Sequence, residues 1–187
     1  MKVITDEKQY TGPGAVLALG MFDGVHLGHR ALIARAQEMA RAEKADAMAC
    51  TFDVHPLSVL APEKAPAPLT DVAGRLEIFR QLGLDWALVK PFTPDLAAQD
   101  PEIFLESLTR CTRARGVVCG ENYTFGRGGR GNADLLRRLG REWGFQVEIV
   151  ESVTDGGEVV SSTLIRSLLK NGQRERALRL LGRRAEG

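Results

Sequence analysis

Apolar residues along this chain fall into short continuous runs separated by amphipathic stretches. The runs at 16–19, 47–52, 86–89, 116–119 and 145–150 are mainly apolar, the last broken by Gln146 and Glu148, the pattern of strands in a covered sheet. Between them, 30–43, 71–82, 101–112 and 132–143 repeat apolar residues at the three- and four-residue spacing of a helix. Strands alternating with helices predict an α/β fold with a parallel five-stranded sheet covered on both faces. The tail at 162–182 predicts two short helices broken at Asn171-Gly172. Two stretches read as loops. Ala61-Pro62-Glu63-Lys64-Ala65-Pro66-Ala67-Pro68 is expected to be extended and exposed, and Gly126-Arg127-Gly128-Gly129-Arg130-Gly131 to be flexible and basic.

The length of 187 residues supports one domain spanning 1–187, with 162–187 as its helical C-terminal segment. A net charge of +1 gives no reason to expect nucleic acid or membrane as a partner. The three cysteines, Cys50, Cys111 and Cys119, lack metal-ligand spacing. They are expected to be reduced and mostly buried, which places the chain in the cytoplasm. The N-terminus has no apolar segment of a signal peptide, and no run is long enough to span a membrane.

All three histidines lie in two short runs, Gly20-Met21-Phe22-Asp23-Gly24-Val25-His26-Leu27-Gly28-His29 and Thr51-Phe52-Asp53-Val54-His55-Pro56. The first run follows a predicted strand and opens a predicted helix, where free N–H groups and the helix dipole favour an anion. His26 and His29, three residues apart, are expected to add donors to one phosphate, with Gly20, Gly24 and Gly28 letting the ligand approach. Neither a third histidine nor a cysteine has the spacing for zinc, so no metal ligand is assigned.

Ser161-Ser162-Thr163-Leu164-Ile165-Arg166 opens another helix. One hydroxyl suffices as a cap, so three hydroxyls followed by an arginine predict a second phosphate grip. Gly126-x-Gly128-x-x-Gly131 matches the dinucleotide fingerprint but does not directly follow its strand, and no Walker A loop occurs. Phe52, Pro56, Asn122 and Phe125 follow predicted strands. Either the two phenylalanines wall a flat heteroaromatic ring whose polar edge Asn122 reads, or they are ordinary core.

Four motifs stand in the order and approximate spacing of the bacterial bifunctional riboflavin kinase/FAD synthetases, which the chain therefore resembles. They are Gly20-x-Phe22-Asp23-Gly24-Val25-His26-Leu27-Gly28-His29, Thr51-Phe52-Asp53-x-His55-Pro56, Gly120-Glu121-Asn122-Tyr123-Thr124-Phe125-Gly126 and Ser161-Ser162-Thr163-x-Ile165-Arg166. The resemblance covers nearly the whole chain. It implies a Rossmann-like nucleotidyltransferase fold and an FMN adenylyltransferase that joins FMN and ATP, with magnesium, to give FAD and pyrophosphate. It implies that His26, His29, Ser162, Thr163 and Arg166 act at the phosphates, and that Gly20, Phe22, Asp23, Gly28 and Ser161 bind ATP. Phe52, Pro56, Asn122 and Phe125 would line the flavin pocket. Met21 and Val54 depart from the family's frequent asparagine and proline. The family's kinase domain would begin just after Gly182-Arg183, so the resemblance implies no phosphorylation of riboflavin by this chain. Two alternatives stay open: a nucleotidyltransferase with another phosphorylated acceptor, and a flavin- or nucleotide-binding module without turnover.

Overall fold

In the computed structural model, which describes residues 1–183, the apolar runs form one parallel sheet. Its strands are β1 (Lys2–Ile4), β2 (Ala15–Leu19), β3 (Asp46–Phe52), β4 (Trp86–Lys90), β5 (Gly116–Gly120) and β6 (Gln146–Val150). They stand in the order β1-β4-β3-β2-β5-β6, and all their pairings are parallel. The sheet therefore has six strands, not the five predicted. The extra edge strand escapes a hydrophobic pattern because it is three residues long and buries only Ile4.

The helices between the strands are α1 (Leu27–Glu43), α2 (Leu57–Leu60), α3 (Val72–Gln81), α4 (Pro94–Ala97), α5 (Pro101–Cys111) and α6 (Ala133–Trp143). Side chains alternate across the sheet and divide the core into two layers. Val16, Ala18, Ala47, Ala49, Ala87 and Val118 face Leu32, Ile33 and Ala36 of α1 and Phe79 of α3. Leu17, Leu19, Met48, Leu88 and Val117 face Phe104, Leu105 and Leu108 of α5 and Leu136 and Leu139 of α6. Every residue of β2 is buried, as its central place requires.

After β6 come the two-stranded hairpin of β7 (Thr154–Asp155) and β8 (Glu158–Val159), then α7 (Ser162–Lys170) and α8 (Arg174–Leu180). Ile165, Leu168, Ala177 and Leu180 form a third cluster that rests on Leu27 and Leu69. The two tail helices thus pack back beside the start of α1. The proline-rich loop is less extended than expected, because Pro62–Lys64 makes a 3-10 turn. The glycine-rich loop is anchored. Arg127 donates its N–H to Gln99 O at 2.7 Å, and its guanidinium pairs with Asp100 at 2.8 Å.

All three cysteines are free, with Cys50 and Cys119 buried and Cys111 partly exposed. Burial pushes the Cys50 thiol well up and that of Cys119 up to about 12, so neither forms a thiolate near neutral pH. Native protein treated with an alkylating reagent is expected to be modified at Cys111 alone, and at all three sites once unfolded. Mass spectrometry finding Cys50 or Cys119 modified in native protein would contradict this packing.

Candidate active site

The strand order reverses between β2 and β5. Ligands of open parallel sheets bind at such a switch, beyond the carboxyl ends of the strands. The loop after β2 lies there, and its backbone is strained. Phe22 (φ +53°) and Val25 (φ +45°) adopt the left-handed conformation, as does Gly24 (φ +82°). For a β-branched residue such as Val25 this conformation is costly, so burial must hold it in place. Phe22 and Val25 are both fully buried.

His26 is the N-cap of α1. Its side chain accepts the His29 N–H at Nδ1, over 3.4 Å. An accepting Nδ1 assigns the proton of a neutral ring to Nε2, which leaves that nitrogen as a donor. The two imidazoles stack with centroids 3.7 Å apart and planes at 20°. A Cβ at Gly28 would lie 3.2 Å from the His26 ring, so glycine there keeps the face of the cap open.

Burial lowers the pKa of His26 to about 4, against a smaller opposing pull from Asp23. Burial lowers that of His29 well below 6.5, helped by His26 and Arg75. Both rings are therefore neutral near pH 7. His29 Nδ1 is buried without a hydrogen-bond partner among the described residues.

Asp23 joins this loop to two others. Its Oδ1 accepts the N–H groups of Leu69 at 2.8 Å and Thr70 at 3.0 Å. Its Oδ2 pairs with the Arg166 guanidinium, and its carbonyl accepts the Ser162 hydroxyl at 2.9 Å. Arg166 Nε also donates to Ala67 O at 2.7 Å. Ser161 caps α7 by accepting Leu164 N–H at 3.1 Å, and Thr163 is exposed on the first turn. The helix opening rich in hydroxyls therefore reaches the histidine loop through Asp23.

Two cavities lie beyond the strand ends. One of about 250 Å³ is lined by Phe52, Pro56, Phe92, Tyr123 and Phe125, with Gly126, Gly128 and Gly129 at one side. Phe52 and Phe92 meet edge to face at 4.9 Å, and Tyr123 and Phe125 stack at 5.9 Å. The glycine-rich loop thus borders this aromatic cavity. The second cavity, of about 280 Å³, is lined by Met21, Asp23, Asp53, His55, Thr70 and Arg75 among others. His55 faces it with its Nδ1 accepting Leu57 N–H at 3.1 Å.

Two of the expected site residues do not line the cavities described. Asn122 is exposed and lies outside the lining of the aromatic cavity. It sits in a turn closed by Tyr123 N–H to Gly120 O at 3.0 Å. Phe22 shapes the site only from behind, its buried ring packing 5.1 Å from that of His29. Sequence reasoning missed Phe92 and Tyr123, although the rule that found Phe52 and Phe125, an aromatic just past a strand, finds both. It also missed Arg75, whose signal is a charged residue on the inward face of α3, one turn before Phe79.

A parallel sheet with a histidine-capped helix at its switch point defines the class, a Rossmann-like α/β fold of the nucleotidyltransferase kind. The profile of the FAD synthetase family matches residues 8–164, and the chain belongs to that family. It is 35% identical over 170 residues to the bifunctional riboflavin kinase/FMN adenylyltransferase of Escherichia coli K12, covering 90% of this chain and 54% of the relative. The Listeria monocytogenes protein of the same name is 35% identical, covering 96% of this chain and 57% of the relative. The chain thus spans about half the length of these relatives. A putative bifunctional riboflavin kinase/FMN adenylyltransferase of Geobacillus thermodenitrificans is 37% identical, with 97% of each chain covered. The crystal structure of a macrolide-efflux protein from Streptococcus pneumoniae superposes with a TM-score of 0.84 at 27% identity, covering 97% of this chain and 61% of that one. Among the described residues no helix is long and apolar enough to cross a membrane.

The neutral histidines link acidity to stability. His26 titrates near 4 when folded and about 6.5 when not, so the unfolded chain binds protons first as the pH falls. The contribution of His26 to the free energy of unfolding is expected to be constant above about pH 6.5 and to fall between about 6.5 and 4. Denaturant titrations across that window check this, and replacing both histidines by asparagine should flatten the slope. An unchanged slope in that variant would refute the assignment.

Proposed function

We propose that this chain is an FMN adenylyltransferase, which transfers AMP from ATP to FMN and releases FAD and pyrophosphate. The observation that carries the reading is the neutral, stacked histidine pair capping α1 at the switch point of an FAD synthetase-family sheet. The activity for which the relatives are named and the aromatic-walled cavity of about 250 Å³ support the same reading.

In this mechanism an FMN phosphate oxygen attacks the α-phosphorus of ATP in line. The bond from that phosphorus to the bridging oxygen breaks, and the electron pair leaves with pyrophosphate. The nucleophile is already an anion, so no strong base is required, and rings that stay neutral suit the role of donors better than that of bases. His26, through Nε2–H, and His29 stabilise the charge gathering on the phosphate oxygens, together with the open end of α1. Ser161, Ser162, Thr163 and Arg166 grip the phosphates from α7. Gly20, Asp23 and Gly28 shape the nucleotide site, with Phe22 beneath. Phe52, Pro56 and Phe125, joined by Tyr123 and Phe92, hold the isoalloxazine ring.

Magnesium enters as MgATP, carried by the triphosphate and water. Residues 1–187 act as one domain in this reading, because the α7–α8 cluster rests on Leu27 and Leu69. The cytoplasm is the proposed compartment, on the strength of three free cysteines.

The purified chain, given MgATP and FMN, is expected to yield FAD and pyrophosphate, with products separated by chromatography. Absence of FAD would overturn the proposal. His29→Ala is expected to lower kcat by about 10²–10³ while the melting temperature falls much less. FAD formation at the wild-type rate in that variant, at matched stability, would remove His29 from the mechanism.

A further inference from the structure

Among the described residues, Arg75 is the one lysine or arginine that is buried. Only 4% of its surface is exposed. One terminal nitrogen donates to Met21 O at 2.8 Å and to the Thr51 hydroxyl at 2.9 Å. The other donates to Phe52 O at 3.0 Å and to Asp53 O at 3.3 Å. The Thr51 hydroxyl itself donates to Met21 O at 2.8 Å. All four acceptors are uncharged, and Asp23, Asp53 and Asp71 act on the guanidinium through space. Its Nε is buried without a partner among the described residues. A side chain spent this way is costly, since burying a charge against neutral groups recovers only part of its lost hydration.

One turn further along α3 stands Phe79, fully buried. It meets Phe22 edge to face at 5.3 Å. The same helix face therefore holds the carbonyl of Met21 through Arg75 and the ring of Phe22 through Phe79. Phe22 packs on His29 at 5.1 Å, and His29 stacks on His26 at 3.7 Å. The contacts run without a gap from α3 to the histidine pair.

We propose that Arg75 is a positioning residue for the adenylyl transfer: by holding Met21, and with Phe79 the ring of Phe22, it sets where His29 stands. Its effect on rate rests on the function proposed above. Arg75 also opposes protonation of His29, alongside burial and His26, while Asp23 pulls the other way on His26. A neutral residue at position 75 would remove both the anchor and the charge. Lysine would keep the charge and one donor for Met21.

The test compares wild type, Arg75→Gln and Arg75→Lys in two readouts. The first is the pH titration of the His29 ring protons by NMR, on protein without substrates. The second is kcat and KM for MgATP and FMN. In Arg75→Gln, His29 is expected to titrate at a higher pH, and kcat to fall about tenfold or more with KM for ATP changed less. Arg75→Lys is expected to restore the titration and most of the turnover. A folded Arg75→Gln protein matching wild type in kcat, or an Arg75→Lys protein as displaced in its His29 titration as the glutamine variant, overturns the proposal.

If Arg75→Gln does not fold, Phe79→Leu carries the test. It loosens the ring that, with Arg75, places Phe22 under His29 and leaves every charge in place, so kcat should fall several-fold while the His29 titration stays put. Wild-type kcat there overturns the proposal. Should the wild-type chain form no FAD, the adenylyltransferase reading fails by itself, and the titration still decides whether Arg75 governs His29.

Discussion

One carboxylate ties the active end of this molecule together. Asp23 takes two backbone N–H groups from the 69–70 segment and the guanidinium of Arg166, while its own carbonyl receives the Ser162 hydroxyl. Three segments distant in sequence, the histidine loop, the stretch before α3 and the start of α7, thus converge on a single residue. Asp23 is itself buried, so each of these bonds stands in place of lost hydration. A loop with Phe22 and Val25 in the left-handed region would relax if it were free. The surrounding bonds and the burial of both side chains keep it in the one shape that presents His26 as a cap.

That shape creates a useful tension. Burial strips the histidines of charge, and in the proposed reaction a neutral imidazole attracts phosphate less than a protonated one. The compensation is order. The cap bond directs the His26 donor, the stacked rings fix each other, and the helix end supplies partial positive charge that needs no proton. Donors aimed in advance cost nothing to reorganise when charge develops, whereas a mobile cation does. Full positive charge is held in arginines instead, Arg166 in contact with Asp23 and Arg75 behind the loop.

Much of this was legible in the sequence, for physical reasons. Strands buried on both faces write themselves as unbroken apolar runs, and amphipathic helices as a repeat. The histidine loop announced itself because strand, glycines, histidines and helix are local. β1 did not, since three residues at a sheet edge bury too little to leave a pattern. Arg75 was hidden by its class, for a lone arginine in a helix reads as solvent-facing until the helix is docked. The role of Asp23 as a tether was equally out of reach, because its partners lie 46 to 143 residues away.

The two cavities beyond the sheet are divided by a short piece of chain after β3. Phe52 and Pro56 face the aromatic cavity, and Asp53, Val54 and His55 face the other. This piece lines both cavities. Were an occupant of one to displace this piece, it would displace the wall of the other, and by linkage any such coupling is equal in both directions. The partition is also pinned from beneath, where Arg75 grips the carbonyls of Phe52 and Asp53. Arg75 therefore braces both the histidine loop and the chain between the two cavities.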